Sequence, residues 1–135
     1  MSDILNLDQP KGVTVPPNLS VFNLPEALNR AMGDGEFLHS IFKEFLTAAD
    51  NFISQLEGAL RQGDFDKLGK IAHQFKGAAA NLSAPVVAAA ALELESMGKQ
   101  RISEGTDAAL ERLKAAVEKL KAEAVLIDWR QVGQT

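Results

Sequence analysis

The chain has 135 residues, 46% of them hydrophobic and 24% charged, enough to bury a sizeable core in one domain without a disulfide or a metal. It has no cysteine, which excludes thiol chemistry, Cys-based zinc sites and a disulfide framework. Fourteen basic against eighteen acidic residues give a net charge of −4 with no Lys/Arg cluster. That balance argues against broad nucleic-acid or anionic-membrane binding and for a protein partner.

In chain order, residues 1–20 are interrupted by Pro10, Gly12, Pro16 and Pro17 and read as a flexible or extended leader with no chemistry of its own. They lack a basic segment followed by a long apolar run, and no stretch of the chain approaches membrane-spanning length. The expectation is a cytoplasmic protein. Asn23 then reads as an N-cap, with Pro25 in the first turn and Glu26 three residues past the cap. These predict a short helix over Leu24 to Met32, stopped by Gly33.

A long amphipathic helix follows, with Phe37, Leu38, Ile41, Phe42, Phe45, Leu46, Ala49, Phe52, Ile53, Leu56 and Leu60 at the three-and-four spacing of one buried stripe. Gly63 supplies a stop and Asp64 a fresh cap, so a third helix from about Phe65 to Leu82 turns back at once beside the second. Ser83 is placed to cap a fourth helix, which presents Val87, Ala90, Ala91, Leu94 and Met97 before a break at Gly105. Thr106 or Asp107 caps the last, about Asp107 to Leu126, whose apolar face is Leu110, Leu113, Val117, Leu120 and Val125 or Leu126. Trp129 and a polar tail finish the chain.

No alternation of useful length marks a β-strand. The predicted fold is all-α, an antiparallel four-helix bundle with a short additional N-terminal helix across one end. The predicted division is a leader over 1–20, a four-helix-bundle domain over 21–127 and a tail over 128–135.

On a helical wheel the third helix puts Leu68, Ile71, Ala72, Phe75, Ala79 and Leu82 on its core face, with His73 roughly opposite. Gly69 and Gly77 stand one turn to either side of His73, although each glycine costs a helix about 0.5–1 kcal/mol relative to alanine. With no side chains there and only a methyl at Ala80, the surface lets a macromolecule reach the imidazole, and Lys76 at i+3 sets a cation beside it. Lys70 and Gln74 stand at the rim of this clearing.

Neutral imidazole is a competent nucleophile near pH 7, and an ammonium one turn away can stabilise the charge on a phosphoryl group in transit. Spacing alone leaves two readings open, a phosphoryl-accepting nucleophile and a solvated histidine without a role. His39, with no such clearing, reads as surface or helix-end packing, and Glu95 by itself as a solvated charge.

The run His73-x-x-Lys76-Gly77-Ala78-Ala79, followed by Asn81-Leu82 and then Leu94-Glu95, closely resembles the histidine-containing phosphotransfer (HPt) domains of multistep two-component phosphorelays. The likeness extends from about Phe22 to Leu126. It implies a four-helix bundle with a phosphorylated histidine in mid-helix, on which a receiver domain of a response regulator or hybrid kinase docks to exchange a phosphoryl group with its own aspartate.

His73 matches the phosphoacceptor, Lys76 the lysine that stabilises the phosphoryl group and Gly77 the glycine that keeps the approach open. Glu95 matches the side chain that hydrogen-bonds the other imidazole nitrogen. The resemblance further implies a phosphocarrier rather than an enzyme, a monomer that needs no cofactor, and magnesium only in the receiver's acidic pocket. Consistent with a carrier, no Gly-rich nucleotide-binding loop is present.

Ser83 departs from the pattern, standing where the family usually has glycine, which puts the geometry of that turn in question. Two other functional classes stand beside the carrier. One is a helical adaptor that binds a receiver or another signalling protein without accepting phosphate. The other is a hydrolase or metal protein using His73 and His39, although two histidines on separate helices form no recognisable ligand set.

Overall fold

The structure, a computed structural model, describes residues 21–132, so the expected leader and the last three residues of the tail lie outside the described residues. Among these the chain is all-helical: α1 Leu24–Arg30, α2 Gly35–Gln62, α3 Phe65–Asn81, α4 Pro85–Gln100 and α5 Thr106–Val125. Local chemistry sets most of the boundaries. Asn23 accepts from the Glu26 backbone N–H at 3.1 Å to start α1, and Asp64 accepts from Lys67 N–H at 3.0 Å to start α3. Gly63, left-handed at φ 65°, closes α2. Helix α1 ends two residues earlier than expected because Met32 and Gly33 are both left-handed, at φ 59° and 79°, which no helix accommodates.

Three further boundaries differ from the sequence reading. Ser83 does not cap α4; it lies past the end of α3 in the left-handed region at φ 65°. Its N–H donates to Ala80 O at 3.0 Å and that of Ala84 to Ala79 O at 2.9 Å, the paired bonds of a Schellman turn. The buried Ser83 hydroxyl donates to Glu26 Oε1 at 2.7 Å, which offsets the cost, about 1–2 kcal/mol, of a left-handed residue with a Cβ. Helix α4 therefore starts at Pro85 with no side-chain cap, and it ends at Gln100 rather than Gly105, where Arg101 takes φ 56°. Helix α5 has Gly105 at its cap, while Thr106 Oγ1 donates to Ser103 O at 2.8 Å.

Packing closes the long helices into a ring in which α3 lies between α2 and α4, and α5 between α4 and α2. The core holds the predicted stripes, including Leu38, Phe42 and Leu56 of α2, Leu68, Ala72 and Phe75 of α3, Val87 and Leu94 of α4, and Leu113 and Leu120 of α5. Phe75 stacks on Phe52 with ring centroids 4.9 Å apart. Three predicted stripe members, Phe37, Val125 and Leu126, are exposed. They sit at helix termini, where the apolar period runs beyond the neighbouring helix that would cover it.

Helices α3 and α4 come unusually close, because two glycines face each other. A Cβ on Gly98 would lie 2.7 Å from the Gly69 backbone nitrogen and 2.9 Å from Phe65 O. Helix α1 is fastened to the turn between these helices: Asn23 N–H donates to Ser83 O at 2.8 Å, and Arg30 donates to Ala80 O and Asn81 O at 2.7 and 3.0 Å. Arg30 thus satisfies carbonyls at the negative end of α3.

The segment after α5 is not a detached tail. Trp129 is buried against Phe22 and Phe42 and stacks on His39, with ring centroids 4.7 Å apart and planes 2° from parallel. Gly35 accommodates this return, since a Cβ there would come within 2.6 Å of Trp129 O. The packed unit therefore reaches past residue 127, and His39 is in helix-end packing as expected.

Candidate functional site

His73 projects from the middle of α3 with its side chain 65% exposed, and its Nδ1 lies 2.9 Å from Oε2 of Glu95 on α4. Glu95 is 3% exposed, so it is no solvated surface charge. Lys76, one turn after His73, places Nζ 2.7 Å from Glu95 Oε1, and Lys99, one turn after Glu95, places Nζ 2.9 Å from Oε2. One carboxylate from α4 thus gathers two groups of α3 and one of its own helix.

A carboxylate this buried is costly unless its charge is compensated. Oε1 accepts no aligned hydrogen bond, so the ion pair with Lys76 is its compensation. Oε2 serves both His73 and Lys99. The Lys76 ammonium, with Lys99 and His73 adding to it and burial opposing, brings the Glu95 carboxyl down to about 2, well below the usual carboxylate range.

Glu95 is therefore ionised at neutral pH, and a contact of 2.9 Å with it is attractive only if Nδ1 carries the proton and donates. The same tautomer leaves the lone pair on Nε2, which no group among the described residues engages.

The other predicted residues divide. Around Gly77 a Cβ would meet nothing within 4 Å, so that side of the imidazole is open, and Ala80, Lys70 and Gln74 are exposed as expected. Gly69 is different: it is buried against Gly98, because the wheel cannot show that α4 crosses there. Its backbone is the surface that Gly98 packs against, although a Cβ on Gly69 itself would make only ordinary contacts of 3.8–3.9 Å. The open ground beside His73 lies on the Gly77 side and along the groove between α3 and α4, which Gly69 also lines. That groove has a volume of about 560 Å³ and is lined by Phe65, Lys70, His73, Gln74 and Lys99 among others.

Lys99 and Gly98 were missed in the sequence. The i,i+4 spacing of Glu95 and Lys99 was the available signal for the first, and a glycine inside a helix for the second. Among the described residues no group of three or more His, Asp or Glu side chains is placed to hold a metal ion.

Comparison with known proteins gives this geometry a family. The family model described as Hpt domain matches residues 40–123, well over half of the chain. The chain belongs to the Hpt domain family.

It is a histidine phosphotransfer protein of the phosphorelay type. The Hpt match begins within α2 and ends within α5, so it contains His73, Lys76, Glu95 and Lys99. Among solved structures the chain is similar to histidine-containing phosphotransfer protein B (HptB) from Pseudomonas aeruginosa PAO1, at 23% identity and a TM-score of 0.69. That alignment covers 87% of this chain and 95% of the other and shows a shared fold. A search of curated proteins found no match. Hpt domains interact with receiver domains, and among the described residues of this one no helix is long and apolar enough to cross a membrane.

Proposed function

We propose that His73 is the phosphoacceptor, taking a phosphoryl group from a receiver-domain aspartate and passing it to another receiver. The observation that carries this reading is an exposed imidazole whose Nδ1 is tied to a buried, ionised carboxylate. The Nε2 lone pair attacks phosphorus of the receiver's acyl phosphate. An N–P bond forms as the aspartate O–P bond breaks, and the carboxylate leaves with its electron pair. Since Nδ1 keeps its proton, the product ring is cationic, and Glu95 at 2.9 Å stabilises that charge without moving. The reverse sequence hands the group on.

Glu95 is thus a positioning residue that holds the reactive tautomer, and Lys76 supplies positive charge beside the transferring group. Gly77 leaves space for the partner, with Ala80, Lys70 and Gln74 at the docking rim. The reading takes α2 to α5 as an antiparallel four-helix bundle joined by short turns, with α1 as the added helix. It takes the protein as a monomeric cytoplasmic carrier, without catalytic ATP chemistry or a metal of its own, magnesium being held by the receiver.

Incubation with a radiolabelled phosphorylated receiver tests the assignment. Acid-labile label should appear on the wild type and be absent from His73→Gln. Label that persists in His73→Gln rules the residue out, and tight receiver binding with no label on the wild type marks an adaptor instead.

A further inference from the structure

The two lysines that hold Glu95 are not equivalent. Lys76 is 30% exposed and is the partner of an oxygen that has no aligned hydrogen bond, so moving it away would leave a buried charge uncompensated. Lys99 is 70% exposed and shares its oxygen with His73 Nδ1, so Oε2 keeps a donor when Lys99 leaves. Its four-carbon stem starts beside the groove that His73 also lines. Ammonium and ring nitrogen meet on a single atom, each 2.9 Å from it, which puts Lys99 at the doorstep of whatever binds the imidazole.

A phosphoryl group on Nε2 adds an exposed dianion at that place, and an exposed ammonium already paired with a two-donor oxygen is free to re-aim toward it.

We propose that Lys99 is a phosphoryl-contacting residue, which moves from Glu95 Oε2 to the phosphoryl oxygens once His73 is modified, while Lys76 keeps its pairing with Glu95 Oε1 and supplies positive charge beside the group from there. This inference rests on His73 being the acceptor. Charged groups facing the site are Asp66, Lys70 and Lys76 from α3 and Glu95 and Lys99 from α4, with Asp66 paired to Arg101 at 3.2 Å. Of the three lysines, Lys99 alone combines high exposure with a place on the oxygen that His73 uses.

The test phosphorylates the full chain with phosphoramidate, a small donor that needs no receiver, and follows the phosphohistidine by phosphorus NMR across a pH titration. A cation on the phosphoryl oxygens favours the dianion, so in Lys99→Gln the second phosphoryl ionisation should move up by about 0.5–1 pH unit, with Lys99→Arg staying near wild type. A role in folding alone would alter stability without moving that titration. Coincident titrations of wild type and Lys99→Gln overturn this inference and leave the acceptor assignment intact. Failure of the wild type to form phosphohistidine overturns both.

Discussion

At the scale of single residues, Glu95 converts an exposed histidine into a committed nucleophile, because its charge is held in a place where water cannot dilute it. The carboxyl titrates at about 2 in the fold against an ordinary 4.5, so its stabilising contribution is complete above the ordinary value and is lost as pH falls from about 4.5 toward 2. Acid unfolding of the wild type should therefore steepen across that window, and Glu95→Gln should flatten it; an unchanged acid limb in the variant excludes the linkage.

Lys76 has two duties in this arrangement. Lys76→Ala is expected to cost about 1–3 kcal/mol in denaturant unfolding, through the uncompensated Oε1, as well as slowing transfer. Slowed transfer with unaltered stability would mean that the ion pair contributes nothing.

Among the helices, the two glycines of α3 look alike in the sequence and differ in the fold. Gly77→Ala should stabilise α3 by about 0.5–1 kcal/mol, since nothing lies within 4 Å of the new methyl, and should slow exchange with a receiver because the open approach narrows. Gly69→Ala meets ordinary contacts of 3.8–3.9 Å and should leave exchange close to wild type. The tight position is Gly98, where a methyl would collide with the α3 backbone, and Gly98→Ala is expected to cost about 1–3 kcal/mol by pushing α4 outward. Because Glu95 lies one turn before Gly98, the same change should also loosen the 2.9 Å Nδ1 contact, seen as a change in the His73 ring-nitrogen chemical shifts by NMR. Thermal melts and exchange rates on these three variants separate helix crossing from partner access.

For the molecule as a whole, the termini of the described chain are drawn together over the start of α2. Phe22 precedes α1, Trp129 follows α5, and both pack on Phe42. Trp129→Ala should therefore cost about 3 kcal/mol or more in unfolding free energy, as removal of a buried aromatic does. Trp129 is the only tryptophan of the chain, so its fluorescence reports docking directly. Emission typical of an exposed indole in the native wild type would show that the segment is not packed. Transfer from phosphoramidate should be little affected by Trp129→Ala under conditions where the variant is folded, since Trp129 contacts Phe22 and α2, not Glu95.

What the sequence determined by itself is local: the apolar period of each long helix, the caps at Asn23 and Asp64, the stop at Gly63, and the His73, Lys76, Gly77 constellation, all set within a turn or two of chain. The tertiary structure decided what depends on crossing helices. It buried Glu95 beneath His73, brought Lys99 to the same oxygen, gave Gly69 to Gly98 rather than to solvent, held Ser83 left-handed by a bond to Glu26, and folded Trp129 back onto the core. Helical spacing states which side chains share a face. Which of those faces water, and which faces a buried charge, follows only from where another helix lies against it.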